Sequence, residues 1–246
     1  MKKKIIIVLF IVSIAVMLIV VAFDLSKNDF KSSELEKVNE KIAIIDSGFV
    51  LDSVNYDKEI NIEQYNAIDK STNIEKNGVR GTLLFSSLYN DKFSMNIKND
   101  VVLIKAFNSV NQMDRDIIAQ AIDYAISKEV KYIMLAYPLT KNDSLFEAIK
   151  RAQEKEVKII TFLTNSDLLI EYTNIIYVSN INEPTSNVVV DNSQQVMCRD
   201  NKCQSITHES GASAYALGFL SNNKYDLKEK GQLKLKIDYK INLDND

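Results

Sequence analysis

The chain has 246 residues, of which 46% are hydrophobic and 26% are charged, and its formal net charge is −3. A hydrophobic fraction of this size is ordinary for a globular domain and argues against a disordered or fibrous class. Nucleic-acid-binding domains normally carry a surplus of basic residues, so no nucleic-acid partner is expected. The length suffices for one core of about 150–200 residues with an additional anchor or tail.

An apolar run near the N-terminus is the first clear pattern. Lys2–Lys4 precede the run Ile5–Phe23, which only Ser13 interrupts. At about 1.5 Å per residue, a helix of this length crosses a hydrocarbon layer of roughly 30 Å. The lysines favour a cytoplasmic N-terminus. We therefore expect residues 1–23 to anchor the chain in the cell membrane as a single pass, with the domain on the extracytoplasmic side. A cleavable signal peptide is the alternative, although the run is longer than the usual apolar core of a signal.

Residues 24–40 are charged and weakly periodic, which indicates a spacer. Short β-branched apolar runs follow, typical of strands buried on both faces of a parallel sheet: Ile42–Ile45, Val101–Phe107, Tyr132–Ala136, Val157–Phe162 and Ile175–Val178. Helices are predicted at Asp114–Glu129, Ser144–Lys155 and Gly211–Leu220. This alternation predicts an α/β domain with a parallel sheet and right-handed crossovers. Functional residues are then expected at the carboxyl ends of the strands.

The C-terminal residues 223–246 are predicted to form an extension of the domain. Apolar and mostly charged residues alternate over Leu233–Leu243. A period of two is typical of an edge strand with one face packed.

Two cysteines, Cys198 and Cys203, lie in one polar stretch. Outside the cytoplasm such a pair can oxidise and close a small loop. Two free thiols are the alternative. A zinc half-site would need further ligands, and the chain has only one histidine, His208, and no other cysteine. We therefore expect no metal site and no cofactor.

Three segments, in this order, resemble the signature blocks of the subtilisin-like serine proteases (subtilases). They are Lys41-Ile-Ala-Ile-Ile-Asp-Ser-Gly48, Gly78-Val-Arg-Gly-Thr82 and Ser210-Gly-Ala-Ser-Ala-Tyr-Ala-Leu-Gly218. The predicted strands and helices between the second and third blocks are similar to the family's core. The resemblance implies a shortened, three-layer subtilisin-like domain over about residues 41–222. This domain would follow the one transmembrane helix predicted from the apolar run Ile5–Phe23.

The resemblance also implies roles for four residues. Asp46 is at the position of the triad acid, Ser213 at that of the nucleophile, and Asn165 at that of the oxyanion-hole asparagine. Arg80 occupies the position of the catalytic histidine. In the family fold this position lies against the triad aspartate, so we expect Arg80 to form an ion pair and charge-assisted hydrogen bonds with Asp46.

A serine nucleophile needs a neighbouring imidazole to accept its proton. Arg80 cannot do this, because a guanidinium has no free lone pair and stays protonated. His208 would have to approach Ser213 from the serine's own loop, away from Asp46. The segment Ala136–Leu139 replaces a glycine-containing strand edge of the family, and its proline lacks a backbone donor.

These features predict a membrane-anchored, extracytoplasmic pseudoprotease. We expect it to act as a non-catalytic module that binds a peptide or a protein, or that regulates one. The alternative is a serine endopeptidase of low or unusual activity that uses Ser213. A further alternative is an unrelated ligand-binding protein, because Tyr132–Asp167 also resembles the core of periplasmic sugar-binding proteins. The Lys-, Ile- and Asn-rich composition is compatible with a bacterial source of low genomic GC content.

Overall fold

The structure is a computed structural model. It describes residues 38–75, 79–90, 95, 97–108, 113–135, 137, 139, 142–162, 172–179, 187–191, 196–199, 202–205, 208–225, 227 and 232–236. These residues belong to one compact unit, Leu35–Asp246. The predicted anchor, Ile5–Phe23, lies outside the described residues. Within the described ranges, no helix combines the length and the apolar character needed to cross a membrane.

The centre of the domain is an eight-stranded parallel sheet. Its strands are β1 (Ile42–Asp46), β2 (Ile62–Asn66), β3 (Val101–Lys105), β4 (Tyr132–Met134), β5 (Lys158–Phe162), β6 (Ile175–Ser179), β7 (Val188–Asp191) and β10 (Leu233–Lys236). They lie in the order β10-β7-β6-β5-β4-β1-β3-β2, and the pairs between them are parallel. The short strands β8 (Val196–Arg199) and β9 (Lys202–Ser205) form a separate antiparallel hairpin.

The five strands predicted from apolar runs are confirmed, with small differences at their ends. Strand β10 lies at the sheet edge where the alternating tail predicted an edge strand, and it pairs with β7. Leu233 and Leu235 are buried whereas Lys234 is exposed. The predicted C-terminal extension therefore contributes a strand to the same sheet as the rest of the domain.

The described residues also form four α-helices and the short 3-10 helix Leu51–Ser53: α1 (Val79–Tyr89), α2 (Arg115–Ser127), α3 (Asp143–Glu154) and α4 (His208–Asn222). Helices α2 and α3 begin where side chains cap free backbone donors. The Asp114 carboxylate accepts a hydrogen bond from Asp116 N, and the Asn142 side chain accepts one from Leu145 N at 2.9 Å.

The prediction for the last helix, Gly211–Leu220, is wrong at its ends. Helix α4 begins three residues earlier, at His208, and ends at Asn222. Glycine inside a helix costs only about 1 kcal/mol relative to alanine. Burial of nearly every side chain from Ser210 to Ser221 offsets that cost. The helix start therefore does not fall at the glycine.

The helices lie on both faces of the sheet, which confirms a three-layer α/β fold. Helices α2 and α3 contact each other and pack, with alternate sheet residues such as Ala43, Ile45 and Ile104, into one hydrophobic cluster. On the opposite face, α1 contacts β1, and α4 contacts strands β4 to β7. Helices α1 and α4 also contact each other. This layer contains the second and third signature blocks.

Candidate functional site

Asp46 is the last residue of β1, at the carboxyl edge of the sheet. Its side chain is completely buried. One carboxylate oxygen, Oδ1, accepts hydrogen bonds from Ser47 N at 2.7 Å and from Ser47 Oγ at 3.0 Å. The other oxygen, Oδ2, has no hydrogen-bond partner among the described residues. A buried carboxylate with one unsatisfied oxygen depends on nearby positive charge for its stability.

Arg80 supplies that charge from the second residue of α1. Its Nη2 atom lies 3.7 Å from Asp46 Oδ2, and its side chain is 23% exposed. The same Nη2 donates a long hydrogen bond, at 3.5 Å, to the Oγ of Ser210, which lies in the first turn of α4. The predicted ion pair is therefore confirmed. The predicted hydrogen bonds between the two side chains are absent, because 3.7 Å is too long for one.

Burial raises the pKa of the Asp46 carboxyl above its usual range. The positive charge of Arg80 and the two hydrogen bonds from Ser47 lower this pKa but only partly offset the effect of burial. The carboxylate is thus held in an environment that penalises its charge, with one cation as its main electrostatic support.

Helix α1 can approach β1 because Gly81 has no side chain. A Cβ at this position would overlap the carbonyl oxygen of Gly48 and would lie 3.2 Å from both Asp46 Cβ and Phe49 Cε1. Gly48 itself has a φ of 128°, which residues with a side chain rarely adopt. Gly48 of the first signature block and Gly81 of the second, the residue after Arg80, are therefore in direct contact.

Thr82 also ties α1 to the loop that follows β1. Its Oγ1 accepts a hydrogen bond from Val50 N at 2.9 Å. The threonine of the second block thus has a structural role in positioning the helix that carries Arg80.

Ser213 is completely buried and is the sixth residue of α4. Only the first four backbone N–H groups of a helix lack a partner within it. The N–H of Ser213 is therefore directed to the carbonyl oxygen four residues earlier and is not available to stabilise an oxyanion. Ser213 therefore does not lie at the N-terminus of α4, which begins at His208.

The side chains of the other two candidate residues, Asn165 and His208, are not among those that the structure describes. Asn165 lies outside the described residues, three positions after the end of β5. His208 is the first residue of α4, and its backbone alone is described. Helix positions five residues apart differ by about 140° around the axis, so His208 and Ser213 do not share a helix face.

In the described part of the chain after β4, the backbone of Tyr137 makes hydrogen bonds within the domain. Tyr137 N donates a hydrogen bond to Leu135 O at 2.6 Å, and Tyr137 O accepts one from Thr161 Oγ1 at 2.7 Å. Both polar groups of the Tyr137 peptide backbone are thereby engaged. An extended peptide could not accept a hydrogen bond from Tyr137 N unless the bond to Leu135 O were broken.

Three residues of this region were missed by the sequence analysis: Ser47, Ser210 and Thr161. The first two stand inside the quoted blocks, beside residues with assigned roles. Thr161 is completely buried in β5. A polar residue within an otherwise apolar run was the feature of the sequence that could have identified it. In the described part of the chain, no cluster of histidine, cysteine, aspartate and glutamate side chains could hold a metal ion.

Comparison with known proteins was made by sequence and by structure. No family model matches the sequence, and no curated protein matches it. The prenylagaramide maturation protease PagA has a TM-score of 0.58 and 13% identity, over 73% of each chain. The PatG macrocyclase domain has a TM-score of 0.52 and 13% identity, over 74% of this chain and 75% of its own. A mutant of the protease domain of PatA has a TM-score of 0.61 and 10% identity, over 76% of this chain and 80% of its own.

These three structures are subtilisin-like macrocyclase and protease domains. At identities of 10–13%, the likeness concerns the fold. It agrees with the parallel sheet between two helical layers. The chain therefore has a subtilisin-like fold.

Proposed function

We propose that this chain is a membrane-anchored, extracytoplasmic pseudoprotease that acts as a non-catalytic binding or regulatory module. The observation that carries the proposal is the 3.7 Å ion pair between Asp46 and Arg80. In a serine protease triad, the group beside the aspartate must accept the serine proton and return it to the leaving amine. A guanidinium can do neither at physiological pH. The pair stabilises a buried carboxylate and leaves the general base missing.

The position of Ser213 supports the same proposal. Its side chain is buried, and its backbone N–H lies within the regular part of α4. A nucleophile has to reach a carbonyl carbon of the substrate, and an oxyanion needs free donors near it. Ser213 in this arrangement is a buried residue of α4 and is not accessible to a substrate.

The backbone around Tyr137 favours a protein-binding or regulatory role over the binding of a peptide along this segment. The N–H of Tyr137, which could pair with an extended substrate, is bonded to Leu135 O, and its carbonyl oxygen accepts a hydrogen bond from Thr161 Oγ1. The extracytoplasmic location is motivated by the lysine-flanked run Ile5–Phe23.

The full-length chain in detergent micelles should not cleave casein and should not react with a fluorophosphonate probe. Both require an activated serine. The Ser213→Ala variant should give the same background signal as the unmodified chain, and so should Arg80→His, because Ser213 stays buried. An active subtilisin in the same detergent is the positive control. Casein cleavage that disappears in Ser213→Ala would show that the alternative, a serine endopeptidase of low activity, is correct.

Protease treatment of intact cells should remove the domain and leave a membrane-bound N-terminal fragment. The reason is the expected orientation, with Lys2–Lys4 in the cytoplasm. A cytoplasmic marker protein that stays intact controls for lysis. If the domain survives in intact cells and is digested only after the cells are broken, the proposed topology is wrong.

A further inference from the structure

The hairpin of β8 and β9 brings the two cysteines of the chain directly opposite each other. The antiparallel register pairs Val196 with Ser205, Met197 with Gln204, Cys198 with Cys203 and Arg199 with Lys202. Directly opposite residues in such a pair occupy the same face of the ribbon. That the two cysteines share a face depends on the register of the hairpin, which the spacing of Cys198 and Cys203 in the sequence does not determine.

The place of the pair within the hairpin determines the distance between the two Cα atoms. Residues 200 and 201 connect the strands, so Arg199 and Lys202 form the closing pair. In a hairpin with a two-residue connection, the closing pair exchanges hydrogen bonds, and the next pair does not. The Cα atoms of a non-hydrogen-bonded pair are about 4.5 Å apart. This value falls within the range of about 4.4–6.8 Å that a disulfide spans.

We propose that Cys198 and Cys203 form an intramolecular disulfide across this hairpin. Formation of the S–S bond breaks two S–H bonds and releases two protons and two electrons. The oxidant is another disulfide, that of glutathione disulfide or of a disulfide oxidoreductase. It takes up the two electrons and two protons and becomes two thiols. The geometry of the pair rests on the hairpin register and is independent of the proposed function. The oxidant is supplied by the buffer in the test below, and in the cell it would come from the proposed extracytoplasmic location.

The disulfide would act beside the candidate site. Strand β8 contacts α1, the helix of Arg80, and two residues separate the end of β9 from the start of α4. Arg80 in turn reaches Ser210 in the first turn of α4. A covalent link across the hairpin would therefore fix the register of a strand that contacts α1.

Trypsin provides a direct test on the full-length chain, because it cleaves after both Arg199 and Lys202. The purified protein is equilibrated in a glutathione buffer in which the disulfide form predominates, and free thiols are alkylated before digestion. We expect the peptides containing Cys198 and Cys203 to remain linked and to separate on reduction. Alkylation of both thiols, attachment of glutathione to each cysteine, or a link between two chains would overturn the proposal.

A matched variant tests the register. In Cys203→Ser/Gln204→Cys the second thiol moves by one residue, which places it on the other face of the ribbon. We expect the linked peptides to be lost in this variant under the same buffer. Equal linkage in the variant and the unmodified chain would show that proximity in the sequence, and not the hairpin pairing, brings the thiols together.

Discussion

Replacing Arg80 with alanine is expected to lower the free energy of unfolding by about 3 kcal/mol at neutral pH. Breaking a buried ion pair leaves the partner as an uncompensated charge, and such losses are about 3–5 kcal/mol. We expect the lower end of this range because Arg80 is 23% exposed and its Nη2 lies 3.7 Å from Asp46 Oδ2. Urea unfolding of the two proteins measures the difference.

The loss of unfolding free energy in Arg80→Ala should depend on pH, and the direction of this dependence would identify Asp46 as its source. Burial raises the folded-state pKa of Asp46 above its unfolded value, and removal of Arg80 raises it further. The folded state therefore binds the proton more tightly, so stability is highest below the unfolded pKa and falls as the pH rises through the folded pKa. This fall should be larger and extend to higher pH in Arg80→Ala. Below the unfolded pKa, Asp46 is neutral in both proteins, and the difference between them should shrink.

Two controls separate the ion pair from a general effect of removing an arginine. In an Asp46→Asn background, Arg80→Ala should cost less than about 1 kcal/mol, because no buried charge is left unpaired. Arg151→Ala removes an exposed pair with Asp123, in which Nε and Nη2 donate hydrogen bonds at 2.8 Å. Its cost should be at most about 1 kcal/mol despite the shorter distances. An equal loss for Arg80→Ala with and without Asp46 would contradict the role given to the pair.

Gly81→Ala should destabilise the domain by about 2 kcal/mol, as small-to-large changes in a tightly packed site do. The new Cβ would overlap the Gly48 carbonyl oxygen and approach Asp46 and Phe49. The clashing atom belongs to the backbone, so the overlap can be relieved only if α1 or the loop after β1 shifts. The gain of about 1 kcal/mol in helix propensity offsets only part of this cost. The midpoint of urea unfolding measures the change.

Gly218→Ala is the matched control, since it makes the same substitution in the buried helix α4. Its Cβ would lie 2.5 Å from Met95 Sδ and 3.0 Å from Leu88 Cδ2. A methionine side chain can rotate away, whereas a backbone carbonyl cannot. We expect a change within about 1 kcal/mol. If Gly81→Ala were as stable as Gly218→Ala, the close approach of α1 to β1 would not be essential to the fold.

The strands of the sheet centre could be predicted from the sequence because burial on both faces leaves a local trace. The runs that became β1 and β5 consist almost entirely of apolar residues, and such a pattern needs no tertiary information. Strand β2 (Ile62–Asn66) was missed because it lies at the sheet edge, where polar residues such as Glu63 and Gln64 interrupt the apolar pattern. The nearness of Arg80 to Asp46 followed from the family resemblance and not from any periodicity.

What the sequence by itself determined was the α/β class, the central strands and the absence of an imidazole at position 80. The tertiary structure decided the burial of Ser213, the unsatisfied Oδ2 of Asp46 and the internal bonding of Tyr137. The first two of these, and the bond from Thr161 to Tyr137, depend on the distance between elements far apart in the chain. An example is the contact between α1 and the loop after β1, which meet at Gly81 and Gly48. Such distances are determined by the packing of side chains between the layers, so they cannot be predicted from a local sequence pattern.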